Sequence, residues 1–352
     1  MLYINGRFLT QKITGTQRFA IEVVKALDGM VNRNEIEILS PPGIINAVEL
    51  KNIAIRCIGN NSGHYWTQVI FPRYVLQNRG VSLTMVGMCP LLCPDYFVAH
   101  DITFIKHPES FSRSFRFAYE IDHALTLKRC KKIFTVSEFS KREICEYFNI
   151  FPEMVVVVSN SSTHLLESEF QETDIQKFGI QDDQYYLSVS SRNLHKNQRY
   201  IALLAEKYPY KKFVIVGGGN FSSFTDVKFS KLDNLIFTGY VEDKELFSLY
   251  KHAKGFIFPS LYEGFGIPPL EAITMGVKRV ALSDIPVFRE LFKEDVYFFN
   301  PYNINSFNMI KFEKTKISKT SKINYLHAFS WRKTAKIMLE VIRNTENSKK
   351  GR

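Results

Sequence analysis

Short apolar runs alternate with amphipathic segments along this chain, in two successive series. The first series includes residues 1–4, 97–99 and 154–159, and the second starts at residues 185–189 and continues at 213–216. Apolar strands that alternate with helices are typical of parallel sheets with helices on both faces. The pattern therefore predicts an α/β protein with two doubly wound, Rossmann-like domains that face a central cleft.

The chain has 352 residues, which is enough for two domains with complete hydrophobic cores. We expect a first domain over residues 1–165, a polar and irregular linker over 166–184, and a second domain over 185–329. Residues 330–352 are predicted to form a C-terminal helix with a frayed tail. Residues 303–324 have the weakest periodicity and carry no predicted element.

The formal net charge of +11 suits an anionic partner: nucleic acid, an anionic membrane or a nucleotide. No nucleic-acid recognition motif is present, so we expect no nucleic acid partner. The chain has no apolar run of 18 residues, and no basic segment followed by a long apolar stretch opens it. We therefore expect no transmembrane helix and no signal peptide, and a cytoplasmic location, at the inner face of the cell membrane if the substrate is lipid-linked.

The segment 260–272, SLYEGFGIPPLEA, places Glu263 and Glu271 eight positions apart around a Gly-Phe-Gly turn and a Pro-Pro pair. It follows a predicted strand at 255–259, and the prolines suit the first turn of a helix. Free backbone N–H groups and the positive end of a helix dipole would then face one point, which favours a diphosphate. Glu263 is expected in the loop and Glu271 in the first helical turn. Two glutamates alone would indicate only solvated surface charges, but the glycines and prolines favour a ligand site.

This segment resembles the E-x7-E motif of the retaining glycosyltransferases of family 4, which have the GT-B fold, and among them the bacterial O-antigen and capsule polysaccharide enzymes. Matches elsewhere cover nearly the whole chain. They are the glycine loop Gly15-Thr16, His100-Asp101 at a strand end, residues 135–141, Arg192 with Lys196-Asn197, Gly217-Gly218-Gly219, Tyr240-Val241-Glu242-Asp243 and Ser330-Trp331.

The resemblance implies a hexosyltransferase that moves a sugar from a nucleotide-sugar donor to a saccharide acceptor, linked to polyprenyl diphosphate. It implies an acceptor-side N-terminal domain, a nucleotide-sugar-binding second domain and a C-terminal helix that packs back on the first. The implied catalytic residues are His100, Glu263, Arg192 and Lys196. The implied donor-binding residues are Gly15, Thr16, Gly217, Gly218, Tyr240, Val241, Phe265, Gly266, Ile267, Leu270 and Glu271.

The predicted chemistry needs no metal and no cofactor, because the chain contains no Asp-x-Asp pair. Arg192 supplies a planar fork of donors and Lys196 a compact charge, a usual pair for a diphosphate. These cations and helix N-terminal amides would stabilise the leaving nucleoside diphosphate. No nucleophile stands out, so we expect retention by front-face attack through an ion-pair-like transition state.

Two alternative functions remain open: a GT-B sugar-nucleotide epimerase that uses the same nucleotide cleft, and a basic nucleic-acid-binding protein. A contact with anionic membrane is also predicted, because basic and aromatic side chains interleave over residues 104–117 and residues 128–132 are basic. The side chains of the first segment are Phe104, Lys106, His107, Phe111, Arg113, Phe115, Arg116 and Phe117. The same aromatic side chains could instead fill the core of the first domain.

Overall fold

The computed structural model of the protein describes residues 1–167, 172–218 and 232–350. The chain divides into two compact units. The N-terminal unit comprises residues 1–105 and 112–160 and the described residues from Phe329 onwards; the C-terminal unit comprises 106–111 and the described residues between Ser161 and Ala328. Gly219, the third residue of the predicted glycine turn, lies outside the described residues.

The N-terminal unit is built on a seven-stranded parallel sheet in the order β3-β2-β1-β4-β5-β6-β7. Its strands are β1 (Leu2–Asn5), β2 (Ile36–Ser40), β3 (Ala54–Cys57), β4 (Val81–Thr84), β5 (Tyr96–Val98), β6 (Lys132–Thr135) and β7 (Val155–Val157). The strand order reverses between β1 and β4. In open α/β sheets, ligands bind beyond the carboxyl ends of the strands at such a reversal.

Seven α-helices lie wholly or mainly in the described part of this unit. They are α1 (Gly15–Asp28), α2 (Gly63–Tyr65), α3 (Phe71–Gln77), α4 (Thr103–Lys106), α5 (Arg113–Thr126), α6 (Glu138–Phe148) and α14 (Trp331–Lys350). The side chain of Ser137 accepts a hydrogen bond from the N–H of Ser140 at 3.0 Å and caps the start of α6.

The C-terminal helix α14 is part of the N-terminal unit and packs against α1. Trp331 is buried and its ring meets the edge of Phe19 at 5.8 Å. Near its other end, Glu346 accepts hydrogen bonds from the hydroxyl of Tyr96 and from Lys131, both at 2.7 Å. Aromatic packing and an ion pair therefore fasten the helix at both ends.

The C-terminal unit repeats the design with a six-stranded parallel sheet in the order β10-β9-β8-β11-β12-β13. Its strands are β8 (Tyr185–Ser190), β9 (Lys212–Gly217), β10 (Leu235–Gly239), β11 (Gly255–Phe258), β12 (Val280–Ser283) and β13 (Tyr297–Phe299). Its described helices are α7 (His164–Glu167), α8 (Gln198–Lys207), α9 (Asp243–Lys251), α10 (Ile267–Thr274), α11 (Pro286–Phe292), α12 (Met309–Lys314) and α13 (Lys319–Ala328). The order reverses between β8 and β11, and the predicted α/β class with two doubly wound sheets is confirmed.

Candidate active site

The E-x7-E segment runs from β11 through a loop into α10. Gly266 precedes the helix with φ +113°, and an ideal Cβ there would lie only 2.8 Å from Cε1 of Phe288, so glycine is required on both counts. The helix begins at Ile267, and Pro268 and Pro269 are its second and third residues. Because proline has no N–H, the amides that can face a ligand here are those of Ile267 and of the preceding loop.

The apolar residues of this segment that were predicted to bind the donor have buried side chains: Phe265, Ile267 and Leu270. They lie in the hydrophobic core around α10, so only their backbone groups are available to a donor.

Glu271 is the fifth residue of α10, so the prediction that it lies in the first turn is wrong. The helix starts one residue before the proline pair, and this moves the carboxylate into the second turn. Its side chain is buried, with Oε2 accepting a hydrogen bond from the hydroxyl of Tyr250 at 3.0 Å and Oε1 3.6 Å from Nε2 of His164. Burial raises the pKa of Tyr250 well above its usual value and the charge of Glu271 raises it further, so the phenol remains a donor.

Lys196 and Glu263 form an ion pair, with Nζ 2.7 Å from Oε1. Lys196 ends a short turn after β8, and Glu263 lies in the loop after β11, the neighbouring strand. The pair therefore lies at the strand reversal of this sheet, where ligands bind in folds of this type. Its side chains are only 21% and 11% exposed, so water screens the interaction weakly.

Asn197 fixes the turn that carries Lys196. It has a left-handed backbone (φ +53°), and its Nδ2 donates to the carbonyl oxygens of Pro259 and Pro301, each at 3.1 Å. The N–H of Leu261 also donates to the carbonyl oxygen of His195 at 2.7 Å. These bonds join the loops after β8 and β11 and fix the positions of Lys196 and Glu263 relative to each other.

The glycine turn after β9 lies against the loop that carries Arg192. An ideal Cβ on Gly217 (φ +111°) would be 2.5 Å from the carbonyl oxygen of Ser190, and one on Gly218 would be 2.9 Å from Cγ of Arg192. Gln198 bridges the two segments, because its Nε2 donates to Ser190 Oγ at 2.9 Å and also to the carbonyl oxygen of Gly218. Arg192 itself is exposed. Close chain packing thus accounts for both glycines, and a ligand role for Arg192 stays a prediction.

Tyr240 and Val241 follow the edge strand β10, two strands away from β8. Tyr240 is 70% exposed and Val241 is buried. Within the described part of the chain, no hydrogen bond or ion pair joins either residue to the Lys196–Glu263 pair.

His100 and the Gly15 loop lie in the N-terminal unit, after β5 and β1. The His100 Nε2 donates to the carbonyl oxygen of Met85 at 2.9 Å, so Nδ1 is unprotonated in the neutral ring. Burial lowers the pKa of His100, partly offset by the Met85 bond and the charge of Asp101, which favours that neutral form.

Gly15 is the first residue of α1, and Thr16 Oγ1 donates to Gln17 Oε1 at 3.2 Å. The ring of Phe19, one turn further along α1, meets His100 edge-on at 5.0 Å. The roles of His100, Gly15 and Thr16 at a donor stay predictions.

The structure adds His195, Tyr250 and His164, to which sequence reasoning gave no role in the site. Nδ1 of His195 lies 2.9 Å from Oγ of Ser110, and His164 and Tyr250 contact Glu271. Tyr250 is a buried residue of α9, so only the three-dimensional packing identifies its partner. None of these residues carries a local motif.

We expect the C-terminal unit to become less stable as the pH is lowered, because of His195. Burial, together with the charges of Lys196 and His107, lowers the pKa of His195 from 6.5 to about 3. Between these values the unfolded chain binds a proton that the folded chain does not. Well below pH 6.5, each pH unit should therefore remove up to about 1.4 kcal/mol from the free energy of unfolding.

Unfolding in denaturant between pH 7.5 and 5 measures this dependence. The variant His195→Gln should show a shallower loss of stability, whereas His327→Gln, which removes an exposed histidine of the same unit, should follow wild type. Parallel curves for wild type and His195→Gln would contradict the assignment.

No group of three or more histidine, cysteine, aspartate or glutamate side chains that could hold a metal ion occurs among the residues that the structure describes. Within the same residues, no helix is both long enough and apolar enough to cross a membrane.

Comparison with known proteins shows that the chain is similar to glycosyltransferases. Residues 170–310 match the family model described as glycosyl transferases group 1. The O-antigen chain mannosyltransferase RfbU of Salmonella typhimurium is 30% identical over 229 residues, which are 64% of this chain and 62% of that protein. The serotype-specific mannosyltransferase WbdA of Escherichia coli is 27% identical over 270 residues, 69% of this chain and 32% of that protein. The chain thus spans about three fifths of the length of RfbU and about one third of the length of WbdA.

Solved structures share the fold over almost the full chain. Sucrose-phosphate synthase from Thermosynechococcus elongatus has a TM-score of 0.74 at 14% identity and covers 99% of each chain. HepE of Anabaena, solved with UDP-glucose, has a TM-score of 0.69 at 14% identity over 97% of this chain and 99% of that one. WaaG, a glycosyltransferase of lipopolysaccharide biosynthesis, has a TM-score of 0.62 at 13% identity over 95% and 94%. The chain has the GT-B fold, and the predicted resemblance to O-antigen glycosyltransferases is confirmed.

Proposed function

We propose that this protein is a retaining glycosyltransferase that moves a sugar from a nucleotide-sugar donor to a saccharide acceptor during synthesis of a surface polysaccharide. The observation that carries the proposal is the weakly solvated Lys196–Glu263 pair at the strand reversal of the C-terminal unit. This unit contains most of the match to group 1 glycosyltransferases, and the relatives named above are mannosyltransferases. A sugar-nucleotide epimerase has no support from these relatives.

Lys196 and Arg192 would stabilise the negative charge that develops on the leaving diphosphate. Glu263 holds the ammonium of Lys196 in place before the donor binds, and its carboxylate can accept hydrogen bonds from the donor sugar. Glu271 would accept hydrogen bonds from the ribose of the nucleotide. The acceptor would then attack from the face that the diphosphate leaves, with retention of anomeric configuration.

Nucleotide-activated mannose is the first donor to test, because RfbU and WbdA are named as mannosyltransferases. Purified protein is incubated with GDP-mannose and with a panel of other GDP-, UDP- and dTDP-sugars, and release of the nucleoside diphosphate is followed by chromatography. Slow hydrolysis of one or a few of these donors supports the proposal. No donor consumption, with or without a saccharide acceptor, would count against it.

The membrane contact that we propose differs in its residues from the sequence prediction. Phe104 is buried, Phe115 stacks on Tyr119 at 4.0 Å, and Lys131 pairs with Glu346, so these side chains are not free to enter a bilayer. Phe117, by contrast, is 68% exposed.

The exposed stripe of α5 is formed by Phe117, Ile121 and Leu125, which are spaced four residues apart on one face of the helix. Arg113 at the start of the helix and Lys128 just beyond its end are exposed. An apolar stripe with basic residues at both ends favours binding to an anionic lipid surface.

Replacing Phe117, Ile121 and Leu125 together by serine should weaken binding to vesicles of phosphatidylglycerol and phosphatidylcholine by about tenfold or more. Ile310→Ser, which removes a 68% exposed apolar side chain from the C-terminal unit, is the matched control and should bind like wild type. Sedimentation of protein with the vesicles measures this. Equal sedimentation of the triple variant and wild type would exclude α5 as the contact.

A further inference from the structure

Arg7 in the N-terminal unit is a half-buried cation, and no carboxylate among the described residues pairs with it. Among the described residues, its guanidinium makes one hydrogen bond, from Nη1 to Nδ1 of His64 at 3.4 Å, and no ion pair. Burial lowers the pKa of Arg7, which reflects poor solvation of its charge. Partial burial of a cation without a counter-ion costs free energy, and an anionic ligand would recover it.

The guanidinium of Arg7 lies beside Gly87, which has no side chain. Gly87 has φ +80°, and an ideal Cβ on it would lie 3.8 Å from Nη1 of Arg7 and 3.8 Å from the hydroxyl of Tyr119. The two donors therefore approach the same point from different elements, and His64 adds an imidazole beside Arg7. Guanidinium, phenol and imidazole together match the oxygens of a phosphate group.

The place in the fold also favours a ligand. Arg7 follows β1 and Gly87 follows β4, and these neighbouring parallel strands mark the reversal of strand order in the N-terminal sheet. This is the position at which open α/β sheets bind ligands.

Asp122 is the acidic group whose charge acts on both His64 and Tyr119, yet it is already engaged. Its Oδ2 accepts a hydrogen bond from the N–H of Cys89 at 3.1 Å, and its Oδ1 accepts one from Nε2 of Gln68 at 3.4 Å. The carboxylate is buried, and it makes no ion pair with Arg7.

We propose that Arg7, Tyr119 and His64 form a binding site for the diphosphate of a lipid-linked acceptor. The identity of the acceptor rests on the proposed function; the anion site rests on the geometry. Tyr119 lies on α5, the helix that carries the exposed stripe Phe117, Ile121 and Leu125. A diphosphate at Tyr119 would thus lie within about 10 to 12 Å, one helix width, of the proposed membrane face. This proximity favours a lipid-linked diphosphate over a free phosphate ion.

Isothermal titration of the full chain with octyl diphosphate tests the site, with GDP and UDP as probes of the C-terminal unit. Arg7→Gln should weaken octyl diphosphate binding about tenfold or more, because a charge-assisted contact is lost. Arg7→Lys should restore part of that loss. Tyr119→Phe, which keeps the ring, should cause a smaller loss.

Two controls make the effect specific. Arg33→Gln removes an exposed arginine just before β2, where the strands of this sheet begin, whereas Arg7 lies where they end. This variant should bind octyl diphosphate like wild type. Lys196→Gln should weaken GDP or UDP binding but not octyl diphosphate binding. Unchanged octyl diphosphate affinity in Arg7→Gln, or an equal loss of GDP or UDP affinity in that variant, would overturn the inference.

The origin of the phosphate is tested by comparing octyl diphosphate with inorganic phosphate and pyrophosphate. Tighter binding of the octyl ester supports a lipid-linked acceptor, whereas equal binding of inorganic phosphate through Arg7 would overturn that assignment. If the wild-type protein binds neither GDP nor UDP, the proposed sugar transfer fails. The anion site is still supported in that case if Arg7→Gln binds octyl diphosphate more weakly than wild type.

Discussion

Replacing Lys196 by glutamine should lower kcat by about two to three orders of magnitude, the size of effect expected when a preorganised stabiliser of developing charge is removed. The ammonium lies 2.7 Å from Glu263 in a weakly solvated position, so water screens its attraction to a neighbouring diphosphate only weakly. The affinity for the nucleotide should fall less than kcat, because charge on the diphosphate grows in the transition state. Steady-state kinetics and nucleotide titration separate the two effects.

Lys211→Gln is the matched control for Lys196→Gln. Lys211 pairs with Glu313 at 2.8 Å in the same unit, but it precedes β9 and lies at the amino edge of the sheet. This control should retain wild-type kcat. The double variant Lys196→Gln with Glu263→Gln should recover stability lost by the single variant, because no uncompensated carboxylate remains, yet it should stay inactive. If the double variant recovers activity as well as stability, the Lys196–Glu263 pair has only a structural role.

Glu271→Gln should weaken nucleotide binding by about ten- to a hundredfold, the cost of losing a hydrogen bond to a charged group. The carboxylate is buried between Tyr250 and His164, which fixes its position before any ribose binds. Calorimetric titration with GDP and UDP measures the loss. The stability of the variant, from thermal unfolding, should change less than its affinity.

Tyr250→Phe distinguishes a ligand role of Glu271 from a structural one. This variant removes the hydroxyl that donates to Glu271 at 3.0 Å but keeps the carboxylate. It should lower stability while leaving most of the nucleotide affinity. If Glu271→Gln and Tyr250→Phe lose stability equally and neither loses nucleotide affinity, the role of Glu271 is only to accept the hydrogen bond of the buried Tyr250 hydroxyl.

The sequence predicts the two sheets because strands such as β1, β8 and β11 are short apolar runs that are largely buried, a signal that needs no long-range information. The glycine loops before α10 and after β9 are also readable, since Gly266 and Gly217 occupy left-handed backbone positions that glycine favours. The first residue of α10 is less predictable: the proline pair suits more than one starting point, and the position of Glu271 changes with it.

Contacts between distant residues could not be predicted. Tyr250 meets Glu271 from a different helix, and Arg7 meets His64 across 57 residues of chain. Helices α12 and α13 fall where periodicity is weakest, because few of their side chains are buried: Met309 and Phe312 in α12 and Tyr325 in α13. In the segment 104–117 the composition was basic and aromatic, but packing decides which rings are exposed, and only the structure separates Phe104 from Phe117.

The central claim is transfer of a sugar with retention by the site around Lys196 and Glu263. The most direct measurement is the anomeric configuration of the product, read by proton NMR after wild type and Lys196→Gln are incubated with the donor that the panel identifies and a saccharide acceptor. The account predicts a new glycosidic bond with the configuration of the donor, formed by wild type and barely detectable with Lys196→Gln. An inverted linkage, or equal product from the two proteins, would contradict it.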